Sequence, residues 1–241
     1  MTMKILIACE ESQAVCKAFR EKGHNAFSCD IMECSGGHPE WHIMQDVLPL
    51  LNGHCIFHTA DGAAHVVSGK WDMIIAFPPC TDLTNSGARH FEKKRIDGRH
   101  RKSVEFFCKF LAADCDRIVI ENPVGIISGD YVAKHFPDLA EKYGLPRKPT
   151  QIIQPWQFAI SDEDKTVKAT CLWIKGASPL VPIHSEKPDV EYFEWFDEKS
   201  GRIKRQSQWR YNTRCLGPKE RAKVASKTFN GIARAMAEAW G

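Results

Sequence analysis

Trp71-Asp72-Met73-Ile74-Ile75-Ala76-Phe77-Pro78-Pro79-Cys80 is the stretch that decides the fold. An apolar run bounded by turn residues reads as a strand buried on both faces, as in the parallel sheet of an α/β fold. Pro78 and Pro79 have no amide proton for a ladder, so the strand has to stop there. Cys80 then falls just past the carboxyl end of a central strand, where open α/β sheets bind ligands and carry chemistry. It reads either as a small apolar filler at a strand–helix junction or as a nucleophile held by a rigid proline turn. The residues that follow, Thr81, Leu83, Thr84, Ser86 and Gly87, make a polar loop rather than a packed helix start.

A second run, Arg117-Ile118-Val119-Ile120, ends in Glu121-Asn122-Pro123. A carboxylate and a proline again stand where a buried strand leaves the sheet, and adjacent strands would bring Cys80 and Glu121 to one rim. Pro-Pro-Cys followed about forty residues on by Glu-Asn-Pro resembles the nucleophile and glutamate motifs of DNA cytosine-5 methyltransferases. The chain looks like the short phage and prophage members of that family, most strongly from Lys4 to Gly176. The resemblance implies an α/β, Rossmann-like S-adenosylmethionine-dependent methyltransferase fold. Its sheet would be mostly parallel with helices on both faces, and its target-recognition domain reduced or absent. The expected layout is a catalytic core over 1–176, a short polar and aromatic insert over 177–215, and a C-terminal helix over 216–241 packed back on the core.

The chain has 241 residues, 43% hydrophobic and 26% charged, enough for one α/β domain with a real core and a small appendage. A net charge of +3 accommodates nucleic acid without demanding it, since a dedicated binder is usually more basic. Ten cysteines are scattered with no CxxC pair, which points to reduced thiols, and the ten histidines show no paired ligand spacing, so no metal is expected. No signal peptide or membrane-length apolar run stands out, so the expectation is a cytoplasmic protein without a membrane partner, in a bacterial host if phage-encoded. The oligomeric state is left open.

Lys4 to Cys9 reads as the first parallel strand, Gln13 to Lys22 as a helix closed by Gly23, and Asn25 to Cys29 as a second strand ending in Asp30. A carboxylate there is where nucleoside-binding folds hold a ribose, and it reads equally as a strand-end cap. The first turn lacks the G-x-G pattern, so no glycine lets the backbone close on a ligand. Asp46 follows a short strand from His42; the resemblance makes it an adenine contact, and the local pattern makes it the N-cap of Val47–Leu51. By the resemblance, S-adenosylmethionine lies over Ala8, Cys9, Glu10, Ser12, Asp30, Ile31, Asp46, Val47, Phe77 and Pro78. Gly53 to Gly69, with His54, His58 and His65, reads as a solvated loop, with Ile56 and Val66-Val67 as candidate edge pieces.

Beyond Cys80, Arg89, Lys93, Lys94, Arg99 and Arg101 form a basic stretch that is either a solvated face or a set of phosphate contacts. Its place beside the candidate nucleophile favours contact with DNA, together with Thr84 and Ser86. Lys168 to Gly176 is a strand standing where the family carries Gln-x-Arg-x-Arg. The arginines are missing, and Gln157, Lys165 and Lys168 are the candidates for their roles. Ala177 to Thr213 mixes Tyr192, Phe193, Trp195, Phe196, Trp209 and Tyr211 with Arg202, Lys204, Arg205, Arg210 and Arg214. That mixture fits nucleic-acid contact by charge and stacking, or an edge hairpin around Ser200-Gly201. Lys219 to Trp240 reads as one final packing helix.

The resemblance implies a reaction. The Cys80 thiolate adds to carbon 6 of cytosine, Glu121 holds the ring nitrogen 3 and the amino group, Asn122 orients the loop, and Lys168 assists. Carbon 5 then takes the methyl of S-adenosylmethionine, after the base has swung out of a DNA duplex. Three alternatives stay open. They are the same chemistry on RNA or a free cytosine nucleotide, transfer of a modified methyl-type group, and a non-catalytic S-adenosylmethionine- or DNA-binding relic.

Overall fold

The computed structural model describes residues 1–85 and 88–241. β1 (Lys4–Ala8), α1 (Ala14–Glu21) and β2 (Asn25–Asp30) form an opening βαβ unit. A short β3 (His42–Met44), a hairpin of β4 (Cys55–His58) and β5 (Ala64–Val67), and β6 (Met73–Ala76) follow. α2 (Phe91–Ile96) and α3 (Arg99–Leu111) lead to β7 (Ile118–Pro123). α4 (Tyr131–His135) and α5 (Pro137–Tyr143) lead to β8 (Gln151–Ile153) and β9 (Thr170–Lys175). β10 (Tyr192–Asp197) and β11 (Arg202–Ser207) pair as a second hairpin, and α6 (Gln208–Cys215), α7 (Pro218–Ser226) and α8 (Asn230–Trp240) close the chain.

The architecture is α/β, with a mostly parallel seven-stranded sheet in the order β3-β2-β1-β6-β7-β9-β8. β3 through β7 in that order run parallel, β9 is antiparallel to β7, and β8 is antiparallel to β9. Strand alternation explains why helices flank both faces. Ile5 and Ile7 of β1 enter a core with Phe19 of α1 and Met236 and Trp240 of α8. Leu6 and Ala8 enter the opposite core, with Phe107 and Phe110 of α3. With both faces covered, β1 and β6 need apolar residues at successive positions, which is the run seen in the sequence. The chain lays β2 and β3 to one side of β1 and β6 and β7 to the other. The strand order therefore reverses between β1 and β6, and the crevice above their carboxyl ends is a topological switch point.

Three segments depart from the sequence pattern. Lys219 to Trp240 is not one helix: α7 buries none of its side chains, the chain is extended at Lys227 and Phe229, and the apolar stripe belongs to α8 alone. Within Gly53 to Gly69 the candidate edge pieces at Ile56 and Val66-Val67 are strands, and the segment is more than a solvated loop. It is built around the β4–β5 hairpin, where His65 lies 4.9 Å from the Phe27 ring, stacks on Phe57 and bonds the Thr59 hydroxyl. The strand from His42 ends at Met44, and the N-cap of the following 3-10 turn is Val47 rather than Asp46, whose carboxylate accepts the Leu48 amide at 3.0 Å from one position further back. Among the described residues, no helix is long and apolar enough to cross a membrane.

Candidate active site at the carboxyl rim of the sheet

β6 and β7 are parallel neighbours with Ala76 beside Ile120, so the loops that follow them leave the same rim. β6 gains one more rung, from the Phe77 amide to the Ala8 carbonyl at 2.9 Å, and ends at Pro78 as its missing donor requires. β7 runs on through Glu121, Asn122 and Pro123 because β9 pairs along it, with Glu121 opposite Leu172. Buried Asn122 donates its Nδ2 to the Pro78 carbonyl at 2.7 Å, fixing the proline turn to β7. The Cys80 carbonyl accepts the Leu83 and Thr84 amides at 2.9 and 3.0 Å, and the Leu83 carbonyl accepts the Ile126 amide at 2.9 Å. A Cβ on Gly125 would fall 2.0 Å from the Leu83 carbonyl oxygen, so a glycine is needed for the two loops to close. This clasp holds Cys80 and Glu121 to one rim.

Burial first, and then the Glu121 charge, raise the Cys80 thiol above the ordinary cysteine value, while Lys168 and Lys94 pull it down. Burial also raises the Glu121 carboxyl above the usual carboxylate range, against Lys168 and the Thr170 hydroxyl. A carboxyl that keeps its proton to higher pH on the same rim as a thiol is able to donate that proton. Lys168 precedes β9 and donates to the Ala225 carbonyl at 2.7 Å, at the end of α7. A cation at a helix C-terminus is favoured by the dipole and by the free carbonyls there. Its ammonium also stands 5.9 and 5.7 Å from the ring centroids of Trp209 and Phe229, tying the C-terminal segment to the rim.

Lys94 departs most from the sequence reading. It is only 6% exposed, and its ammonium bonds the Thr81 carbonyl at 2.5 Å and the Asp82 carboxylate at 3.1 Å. It is a strut under the loop that carries Cys80, turned away from any phosphate. Arg99 pairs with Asp97 at 2.8 Å, and Arg101 pairs with Asp138 and Glu105. Arg89, Lys93 and Arg210 are exposed. Gln157 turns its carbonyl back to accept the Gln154 amide at 2.7 Å, capping its own 3-10 turn rather than facing the rim. Thr84 bridges to Gly125 in the clasp, and Ser86 lies outside the described residues.

The switch-point crevice has its own geometry. Cys9 takes φ 59° and Gln13 φ 57°, so side-chain-bearing residues hold the left-handed turns that the missing glycines would have eased. Glu10 faces away from the crevice: its two carboxylate oxygens accept the Val15 and Cys16 amides at 2.6 and 3.2 Å and cap α1. Burial pushes its carboxyl up to about 8, against those two amides. Ser12 is buried in the same turn, and Val47 belongs to the core beneath. Asp30 accepts the Met32 amide at 3.0 Å, and burial raises its carboxyl above the usual range. Ile31 beside it is 78% exposed, an apolar side chain left open next to an acid.

Glu11 reads from the sequence only as part of the turn after β1 and is absent from the expected cofactor contacts. It is buried in the β1–α1 turn, and its Oε2 has no hydrogen-bond partner among the described residues. Two adjacent glutamates look alike in a sequence; only the helix axis decides which one caps it. Compared with known proteins, the chain matches no family model and no curated relative.

Proposed function

We propose that the protein is an S-adenosylmethionine-dependent methyltransferase of Rossmann-like fold that acts at carbon 5 of cytosine in DNA through a covalent adduct on Cys80. The observation that carries this reading is a half-buried cysteine and a desolvated glutamic acid clasped to one rim beside the switch-point crevice. The crevice suits the cofactor. Asp30 closes β2 where a ribose is held, exposed Ile31 offers an adenine an apolar face, and Glu11 leaves a carboxyl oxygen unpartnered. When bound, the cofactor supplies an electrophilic methyl group.

Cys80 Sγ, having lost its proton, adds to carbon 6 of the cytosine. Glu121 gives its proton to ring nitrogen 3 as electrons enter the ring, which leaves carbon 5 nucleophilic. The two protonation states are linked. With Glu121 protonated, its repulsion of a Cys80 thiolate disappears, and Lys168 and Lys94 remain to favour that thiolate. Asn122 keeps the Pro78 turn against β7 so that both groups meet one ring. Once carbon 5 carries the methyl, ring nitrogen 3 returns its proton to Glu121, solvent water takes the proton of carbon 5, and the carbon-5–carbon-6 double bond re-forms as the Cys80 thiolate leaves.

Exposed Arg89, Lys93 and Arg210 are among the cations open to backbone phosphates, and the β10–β11 hairpin supplies stacking faces. That hairpin has strands of only six residues, a size that favours RNA or a free cytosine nucleotide as the second substrate class. The test is a covalent trap. Wild-type protein with S-adenosylmethionine and mixed-sequence DNA containing 5-fluorocytosine is expected to give a denaturant-stable adduct by intact mass, absent in Cys80→Ser. Wild-type protein that binds cofactor yet forms no adduct with DNA, RNA or nucleotide sinks the catalytic reading and leaves a binding protein.

A further inference from the structure

An acidic side chain buried without a partner is costly unless something absent from the free protein satisfies it. Glu11 is such a group: it is 6% exposed, and its Oε2 has no hydrogen-bond partner among the described residues. The surrounding turn is fixed from outside. The Glu11 carbonyl accepts the Ser35 amide at 2.8 Å, and Gly36 packs so close that a Cβ would fall 2.5 Å from the Gln13 Cβ. Left-handed Cys9 and Gln13 flank the turn, and backbone strain of this kind collects at ligand clamps. The Glu10 amide donates to the Cys29 carbonyl at 3.2 Å, which sets the turn carrying Glu11 beside the end of β2, where Asp30 follows. Glu10 is spent on the α1 amides and Asp46 on the Leu48 amide, whereas Glu11 Oε2 is left without a partner among the described residues. A turn that holds two acids near each other at the switch point suits a ligand carrying a cation.

We propose that Glu11 recognises the α-ammonium group at the amino-acid end of S-adenosylmethionine, leaving Asp30 for the ribose. This rests on the methyltransferase reading above. Calorimetric titration of wild type and Glu11→Gln with three ligands tests it: S-adenosylmethionine and S-adenosylhomocysteine, which have the ammonium, and 5′-methylthioadenosine, which lacks it.

A charge-assisted hydrogen bond predicts that Glu11→Gln weakens S-adenosylhomocysteine about 10- to 100-fold. The 5′-methylthioadenosine affinity is expected to stay within about twofold, since that ligand never reaches Glu11. The ligand-free variant should melt at or above the wild-type temperature, because it loses an unpaired buried acid. Unchanged S-adenosylhomocysteine binding, equal weakening of S-adenosylhomocysteine and 5′-methylthioadenosine, or a variant that melts well below wild type each overturns the assignment. Weakening confined to S-adenosylmethionine also overturns it, since that would place Glu11 at the sulfonium. A wild-type protein that binds none of the three ligands removes the methyltransferase reading itself, and the assignment with it.

Discussion

The clasp after β6 and β7 and the β10–β11 hairpin are built on opposite plans. In the clasp, each loop spends its backbone on the other, and Leu83, Ile126 and Ile127 are buried beneath it. The hairpin forms a sheet of its own, joined to none of the central strands. It relies on its ladder and on ring contacts, with Phe193 stacked on Tyr211 at 3.7 Å and Arg205 over Tyr192 at 4.9 Å. Phe196 and Ile203 remain 63% and 71% exposed. Core packing transmits small displacements because it is dense, whereas a surface hairpin absorbs them. The geometry of Cys80 and Glu121 is thus set by the core, and the aromatic surface can vary without disturbing it.

The largest expected effect is on Cys80. Cys80→Ser should lower the proposed turnover by at least about a thousandfold, with the thermal midpoint nearly unchanged, as measured by methyl incorporation and calorimetry. Glu121→Gln keeps the shape and removes the transferable proton, so a loss of about 10²- to 10⁴-fold is expected. Its pH profile gives the sign. Burial raises the Glu121 carboxyl, so the protonated acid survives to higher pH, and wild-type activity should fall as pH rises through that raised value. Glutamine does not titrate, and the variant should lose that alkaline limb; a limb that persists would assign it to another group.

Two glycines set the regions against each other directly. Gly125→Ala drives a methyl against the Leu83 carbonyl and should cost about 1–3 kcal/mol of stability together with much of the turnover. Gly201→Ala, at φ 61° in the hairpin turn with open space around it, should cost about 1 kcal/mol of strain and leave the chemistry alone. Paired melting curves and single-turnover rates check both. Equal losses of rate would dissolve the distinction between clasp and hairpin.

The parts of this arrangement legible in the sequence were those governed by burial and by proline. The doubly buried strands announced themselves as apolar runs, and Pro78 and Pro123 marked where they leave the sheet. The parts that stayed hidden depend on which way a polar side chain turns. Lys93 and Lys94 are one basic doublet in the sequence, yet α2 carries Lys94 inward to Asp82 and leaves Lys93 in water. Glu10 and Glu11 are one acidic doublet, split by the axis of α1. Gly125 gave no signal, because its need is the approach of a loop some forty residues away in sequence. The break between α7 and α8 was masked by scattered alanines that continue a helical spacing without any burial in α7.

The smaller effects belong to binding. Trp195 lies on the hairpin 6.0 Å from the Phe193 ring, and Trp195→Ala should weaken nucleic-acid affinity by about 1–3 kcal/mol, the worth of one stacked base, with the single-turnover rate at saturation retained. The smallest effect separates the lysine doublet. If Lys93 meets a phosphate, Lys93→Ala should reduce the slope of log affinity against log salt by about 1 and leave the rate at saturation unchanged. Lys94→Ala should do the reverse. Its ammonium is spent on Thr81 and Asp82, so the slope should hold while the loop bearing Cys80 loosens and the rate falls. Binding isotherms at several salt concentrations, paired with single-turnover rates, distinguish the two. If Lys94→Ala instead flattens the slope at an unaltered rate, the buried strut opens when nucleic acid binds, and the clasp belongs to recognition as much as to chemistry.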